Sequence, residues 1–253
     1  MSGRLRVIGL GPGPADWLTP EAAAALTEVS DVLGYASYLD RVAIRPGQTR
    51  HASDNREELD RARHALTLAS KGRDVAIVSG GDPGVFAMAA AVFEAIEEGP
   101  SEWRALDVAV LPGVTAVLAA AARVGAPLGA DFCAINLSIN LKPWPLIEKR
   151  LALAAEADFV IALYNPASKA RSRQIHEAFD ILRAYRATAT PVVLARAVGR
   201  PDENIAVATL ADADLDTIDM STLVIIGSSA TRILEHGDNR KWVYSPRRVE
   251  ASS

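Results

Sequence analysis

A chain of 253 residues, 49% hydrophobic and 23% charged, has the material for one large or two small domains and the balance of an ordinary globular protein. Its net charge of −4 argues against a general nucleic-acid binder, and no apolar run approaches the ~20 residues that a membrane span takes. Cys133 is the only cysteine, which excludes an intrachain disulfide and a cysteine-based metal site; among Phe132, Ala134 and Ile135 it reads as a buried, inert thiol.

The chain runs from Met1 straight into a strand-like segment with no signal-peptide core, so a reducing, cytoplasmic setting is expected. Short apolar runs at 5–10, 31–35, 75–79 and 108–111 read as buried strands bounded by Gly, Pro or charge. Helical spacing occupies 20–30, 57–70 and 85–98, with Thr19 and Pro20 forming a helix start. This half reads as a β/α domain with a mainly parallel sheet. The turn at Pro112-Gly113 leads into an Ala-rich helix at 115–124, and the domain boundary is placed there, giving domains 1–113 and 114–253. The second half has strand candidates at 132–137, 159–164, 192–196, 205–209 and 223–226. Only two clear helices, 146–157 and 168–187, lie among them, so a mixed sheet with antiparallel pairing is expected. The fold class is α/β.

Four loops have the composition to carry chemistry. Ser79-Gly80-Gly81-Asp82-Pro83-Gly84-Val85-Phe86 follows a buried strand. The glycines let a ligand approach the main chain, Pro83 stiffens the turn, and Asp82 falls at a strand's carboxyl end, where open α/β sheets bind ligands. A plain strand-to-helix turn with a surface Asp is the alternative. Gly9-Leu10-Gly11-Pro12-Gly13-Pro14 looks like a dinucleotide fingerprint and fits it poorly, because Pro14 stands where the third glycine belongs. In Leu111-Pro112-Gly113-Val114-Thr115-Ala116, Thr115 serves either as a helix cap or as a ligand contact. In Tyr164-Asn165-Pro166-Ala167-Ser168-Lys169-Ala170-Arg171-Ser172-Arg173, three cations gather at an expected helix start, against the helix dipole. They are either solvated surface charge or a site for a carboxylate-rich ligand. The four histidines show no metal-ligand spacing, and no nucleophile–base pair is evident.

Taken in order, these loops resemble the tetrapyrrole (corrin and porphyrin) methyltransferases. The matching motifs are Gly9-Leu10-Gly11-Pro12-Gly13 with Trp17-Leu18-Thr19, Gly81-Asp82-Pro83, Pro112-Gly113-Val114-Thr115-Ala116 and Gly125-Ala126-Pro127-Leu128. The likeness runs from about Arg6 to Arg232. Further stretches resemble the branch that acts at C-17 of precorrin-3B: Gly34-Tyr35-Ala36-Ser37-Tyr38, Gly80 through Met88, Leu137-Ser138 with Lys142-Pro143-Trp144, and Ala162 through Arg171. The run Gly227-Ser228-Ser229-Ala230-Thr231-Arg232 agrees as well. One departure is Ile139, where that branch usually carries Asp; it puts acid–base work at that point in doubt.

The resemblance implies S-adenosylmethionine (SAM), bound in a cleft between two α/β domains without a Rossmann fingerprint, and released as S-adenosylhomocysteine (SAH). Carried over, its contacts would be Pro12, Gly80, Gly81, Asp82, Val85, Thr115 and Ala116, with Tyr164, Ala197 and Thr222 in the second half. The implied reaction methylates precorrin-3B at C-17 and contracts the ring to precorrin-4, on the aerobic route to cobalamin. Asp54, Glu57 and Ser138 are the candidates for its proton transfers, and Arg56, Lys169, Arg171 and Arg173 for binding the substrate's carboxylates. Metal ligands, nucleic acid and membrane are not expected. A homodimer, and hand-off to other corrin-pathway enzymes, are expected by analogy. The alternatives are the cobalt-containing substrate cobalt-factor III, another SAM methyltransferase of the family acting on ribosomal RNA or diphthine, or a carrier that binds a corrin intermediate tightly with impaired turnover.

Overall fold

A computed structural model describes residues 3–43, 45–54, 57–168, 171–238 and 240–248. The chain divides into two compact units, Met1–Ala116 and Val117–Ser253.

The first unit carries β1 (Arg4–Gly9), α1 (Pro20–Glu28), β2 (Asp31–Tyr35), α2 (Ala36–Leu39), β3 (Thr49–Ser53), α3 (Glu58–Ser70), β4 (Val75–Ser79), α4 (Met88–Glu98) and β5 (Asp107–Leu111). The strands form one parallel sheet in the order β3-β2-β4-β1-β5. Strands buried on both faces need apolar residues at consecutive positions; β4 supplies them along its length and β1 from Val7 onward. Leu5, Val7, Val75 and Ile77 pack with α3 and α4, while Ile8, Ala76 and Val78 face the cluster holding Ala22 and Leu26 of α1. Thr19 caps α1 as expected, its hydroxyl accepting from the Ala22 N–H at 3.2 Å, with Pro20 at the first helical position.

Near the amino ends of these strands Asp31 is buried in a charge cluster. Its carboxylate accepts from Arg73 Nε at 2.7 Å and Ser30 Oγ at 2.7 Å, and pairs with His51 Nε2 at 3.0 Å. The His51 ring meets His64 edge to face, 4.8 Å between centroids. Burial pushes the Asp31 carboxyl up, and the hydrogen bonds from Arg73, His51 and Ser30 outweigh it, lowering it from 3.8 to about 2. The folded value lies below the unfolded one, so the stabilisation is full above about pH 4 and is lost as pH falls towards about 2; it amounts to about 2 kcal/mol. Asp31→Asn should therefore lower unfolding free energy by that amount at neutral pH, with the gap to wild type closing in acid. Urea titrations across the range check this; a gap independent of pH would remove the carboxylate's charge as its source.

The second unit opens with α5 (Ala116–Val124), whose first residue ends the first unit. It contains β6 (Gly125–Ala126), β7 (Phe132–Asn136), α6 (Trp144–Glu156), β8 (Val160–Tyr164), α7 (Arg173–Tyr185), β9 (Pro191–Arg196), β10 (Asn204–Thr209), β11 (Thr222–Ile226), β12 (Arg232–Glu235) and β13 (Lys241–Tyr244). Its larger sheet runs β10-β9-β11-β8-β7, antiparallel except for β7 beside β8. The core under α6 and α7 is built on Ile161, Leu163, Phe179 and Val224. A small sheet, β12-β13-β6, closes the carboxyl-terminal part. Among the described residues no helix is long and apolar enough to cross a membrane.

The mixed second sheet agrees with expectation, and two helix starts do not. The helix expected from residue 85 begins at Met88, because the Val85 N–H bonds the Asp82 carbonyl at 3.3 Å and Phe86 adopts φ +52°. The helix expected from Ser168 begins at Arg173, because Ser168 and Arg171 exchange main-chain hydrogen bonds at 3.1 and 2.9 Å. Cys133 is half-buried, and burial pushes its thiol up, away from the reactive thiolate.

Candidate functional site

In the first sheet β1 lies between β4 and β5, with Gly9 beside Ser79 and Ile8 beside Leu111. The loops leaving the carboxyl ends of these three strands are therefore neighbours, and they are the loops singled out by composition. Gly11 and Gly81 exchange main-chain hydrogen bonds at 3.1 and 3.0 Å, each in the left-handed region. A Cβ on Gly9 would stand 2.7 Å from both Gly113 N and Gly81 O, so Gly9, Gly81 and Gly113 pack main chain against main chain. At Gly81 the space a Cβ would take meets nothing nearer than Thr115 Cα and Val114 O at 3.9 Å. The main chain presents a bare surface there, next to a carboxylate.

Asp82 does more than stand at a strand end. Its Oδ1 accepts from the Gly84 N–H at 2.8 Å and its Oδ2 from the Gly113 N–H at 3.1 Å. One carboxylate thus shapes its own turn and ties the β4 loop to the β5 loop. Gly80 has a different constraint: a Cβ there would lie 2.8 Å from the Tyr38 ring. Pro12 belongs to the β1 loop and Val85 to the β4 loop, while Thr115 precedes α5 and Ala116 begins it.

In the second unit Tyr164, Ala197 and Thr222 gather at one end of the larger sheet. Tyr164 ends β8, Ala197 follows β9, and Thr222 begins β11 opposite Arg196. The Tyr164 hydroxyl accepts from the Val117 N–H at 3.1 Å, satisfying a donor that the first turn of α5 leaves over. Asn165 and Ala197 both take positive φ, +49° and +50°. Such backbone costs roughly 1–3 kcal/mol at a residue with a side chain and concentrates at functional loops. Asn tolerates this region better than most side chains, so position 165 carries a sequence sign of it, whereas Ala197 carries none.

Asp54 and Glu57 sit together in the turn before α3, where the Asp54 N–H donates to Glu57 Oε2 at 3.1 Å. Buried Arg61 fixes that turn, giving Nε to Ser53 Oγ at 2.7 Å and Nη2 to the Asp54 carbonyl at 2.5 Å. Burial lowers its guanidinium from the usual value. Ser138 lies in the second unit, its N–H bonded to Asn136 Oδ1 at 2.8 Å; the same oxygen accepts from Asn165 Nδ2 at 3.1 Å. Asn136 thus orders two loops, a role composition did not reveal. Ile139 is exposed beyond Ser138.

Of the four cations assigned to substrate, Arg56 and Lys169 lie outside the described residues. Arg171, assigned to the substrate's carboxylates, is buried. Its Nη1 donates to the carbonyls of Leu137 at 3.1 Å and Asn165 at 3.3 Å, holding two loops in place. Arg173, the first residue of α7, is exposed and pairs with Glu177 at 3.2 Å.

Comparison with known proteins agrees with this architecture. A family model described as Tetrapyrrole (Corrin/Porphyrin) Methylases matches residues 4–214. A Sinorhizobium protein named precorrin-3B C(17)-methyltransferase is 60% identical over 247 residues, covering 98% of this chain and 97% of that one. The crystal structure of the methyltransferase CobJ superposes with a TM-score of 0.92 at 52% identity, over 97% of this chain and all of that one. The uroporphyrin-III C-methyl transferase of Thermus thermophilus, solved with S-adenosylhomocysteine, has a TM-score of 0.68 at 23% identity, over 89% of this chain and 97% of that one. At that identity it shows the fold alone.

Proposed function

The chain belongs to the tetrapyrrole (corrin/porphyrin) methylases, a methyltransferase family, and from that premise we propose that it methylates C-17 of precorrin-3B with ring contraction to precorrin-4 in aerobic cobalamin biosynthesis. The observation that carries the substrate is 60% identity, over almost the whole of both chains, to a protein named for that reaction.

SAM is the proposed methyl donor, and when bound it supplies an electrophilic methyl group on a sulfonium. The residues of the first unit fit such a group. Gly81 offers main chain free of side chains, Gly80 before it packs against the Tyr38 ring, Asp82 offers negative charge, and Pro12, Val85, Thr115 and Ala116 border the same three loops. Tyr164, Ala197 and Thr222 are the proposed contributions of the second unit. Methyl transfer to an electron-rich carbon needs alignment more than a strong base, so the protein's task is to hold the substrate carbon in position. Rigid loops that stitch Gly11 to Gly81 and Asp82 to Gly113 suit that task.

Ring contraction asks in addition for a proton acceptor near the C-20 hydroxyl. Asp54, Glu57 and Ser138 remain the proposed candidates. Arg173 and the sequence-assigned Arg56 and Lys169 are proposed to meet the substrate's carboxylates; Arg171 is proposed instead as a support for the loops it binds. A homodimer, and hand-off to other corrin-pathway enzymes, belong to the proposal by family analogy.

Anaerobic incubation with SAM and either precorrin-3B or cobalt-factor III tests the substrate. Turnover of precorrin-3B with a gain of one methyl and a changed absorbance is the expected result. Turnover of the cobalt compound alone would move the chain to the other substrate.

A further inference from the structure

The Gly9–Pro14 loop has an imbalance written into its sequence. Pro12 and Pro14 contribute no N–H, so the loop is rich in carbonyls and poor in donors. Its Leu10 and Gly11 amides are already given to Ser79 O and Gly81 O, at 2.9 and 3.1 Å. The missing donor comes from outside the loop. Arg41 Nη2 stands 2.9 Å from the Leu10 carbonyl, 2.9 Å from that of Gly11 and 3.0 Å from that of Gly13. Two of those carbonyls, Gly11 and Gly13, belong to the peptides that precede the prolines.

We infer that Arg41 is a positioning residue for the proposed SAM site: its half-buried guanidinium gathers three carbonyls of the β1 loop and so presets the loop that carries Pro12. The inference rests on the reading of these loops as the SAM site. The chemistry favours arginine, whose planar fork fixes the direction of its donors and whose charge strengthens each bond. Arg41 follows α2, in the connection between β2 and β3. It therefore ties the β1 loop to a segment beyond β2, across the strand positions occupied by β4. Hydrogen bonds between neighbouring strands cannot make that link.

Two readouts on the full chain test this. Hydrogen exchange over residues 10–18 reports the loop itself, and calorimetric titration with SAH reports what the loop is for. Arg41→Met should raise exchange across 10–18 by about tenfold or more and weaken SAH binding by a similar factor, with Arg41→Lys intermediate in both. Millimolar guanidinium added to Arg41→Ala should restore part of the SAH affinity. With substrate, the loss should appear in KM for SAM more than in kcat at saturation. Exchange unchanged in Arg41→Met overturns the inference, and Arg41→Lys supplies the same test where the methionine variant does not fold. Raised exchange with an unaltered SAH dissociation constant overturns the link to the cofactor and leaves a purely structural clamp. Failure of the wild-type chain to bind SAH overturns the SAM reading, while the exchange data still judge Arg41's hold on the loop.

Discussion

Gly113→Ala is expected to abolish detectable SAH binding and to cost about 2–4 kcal/mol of stability. A Cβ at this position runs into the Gly81 carbonyl oxygen and stands 2.9 Å from Gly9 Cα. Neither obstacle is a flexible side chain that can swing aside; both are main chain at the ends of adjacent strands. Relief requires the β1 end, the β4 loop or the β5 loop to move, and any such move also lengthens the bond from the Gly113 N–H to Asp82 Oδ2. Gly47→Ala is the control. Gly47 has φ +81° with nothing within 4 Å of its would-be Cβ, so alanine there should cost about 1 kcal/mol through backbone strain alone and leave SAH binding intact. Thermal melts and calorimetry distinguish the two. Wild-type SAH affinity in Gly113→Ala would mean that the close packing of the three glycines is not what shapes the site.

Asp82→Asn is the second large effect, and it changes almost no volume. A carboxylate accepts at both oxygens, as Asp82 does from Gly84 and Gly113. An amide accepts at one and turns a donor towards the other N–H, which breaks one charge-assisted bond and sets donor against donor. It also removes the negative charge that Asp82 is proposed to offer to a positive group of SAM. A lost bond to a charged acceptor is worth roughly 1.5–3 kcal/mol, so turnover per SAM at limiting SAM should fall by about one to two decades. The drop should be in kcat/KM for SAM, measured with precorrin-3B held at saturation. An unchanged value would leave Asp82 as surface decoration on its turn.

Much of the architecture was legible because the inner strands are buried on both faces and read as short, largely apolar runs: 75–79 became β4 and 31–35, behind its opening Asp31, became β2. The strand Thr49–Ser53 escaped notice because it sits at the edge of the sheet and carries Thr, Arg, His and Ser. The pairs β12-β13 and β6-β13 escaped because β6 has two residues and the hairpin strands four each. Such lengths leave no periodicity to detect.

At the candidate site, glycine and proline marked loops that the first sheet brings together, since close main-chain approach admits nothing larger. What those loops are tied to depends on partners far apart in the chain. Asp82 reaches Gly113 and Arg41 reaches Gly13, links that no local pattern encodes. Arg171 shows the converse. With its neighbours it reads as one of three cations for a carboxylate-rich ligand or for solvent, whereas its side chain turns inward to the Leu137 and Asn165 carbonyls. The charge was visible in the sequence; its direction was not.

The most direct test of the central claim follows the methyl group. The chain is incubated anaerobically with precorrin-3B and SAM labelled with carbon-13 in the transferred methyl, and the product is read by mass spectrometry and carbon NMR. The account predicts a gain of one labelled methyl, with its resonance on the carbon assigned as C-17 of a ring-contracted product. A label on another carbon, or unchanged precorrin-3B bound without any gain in mass, would contradict it.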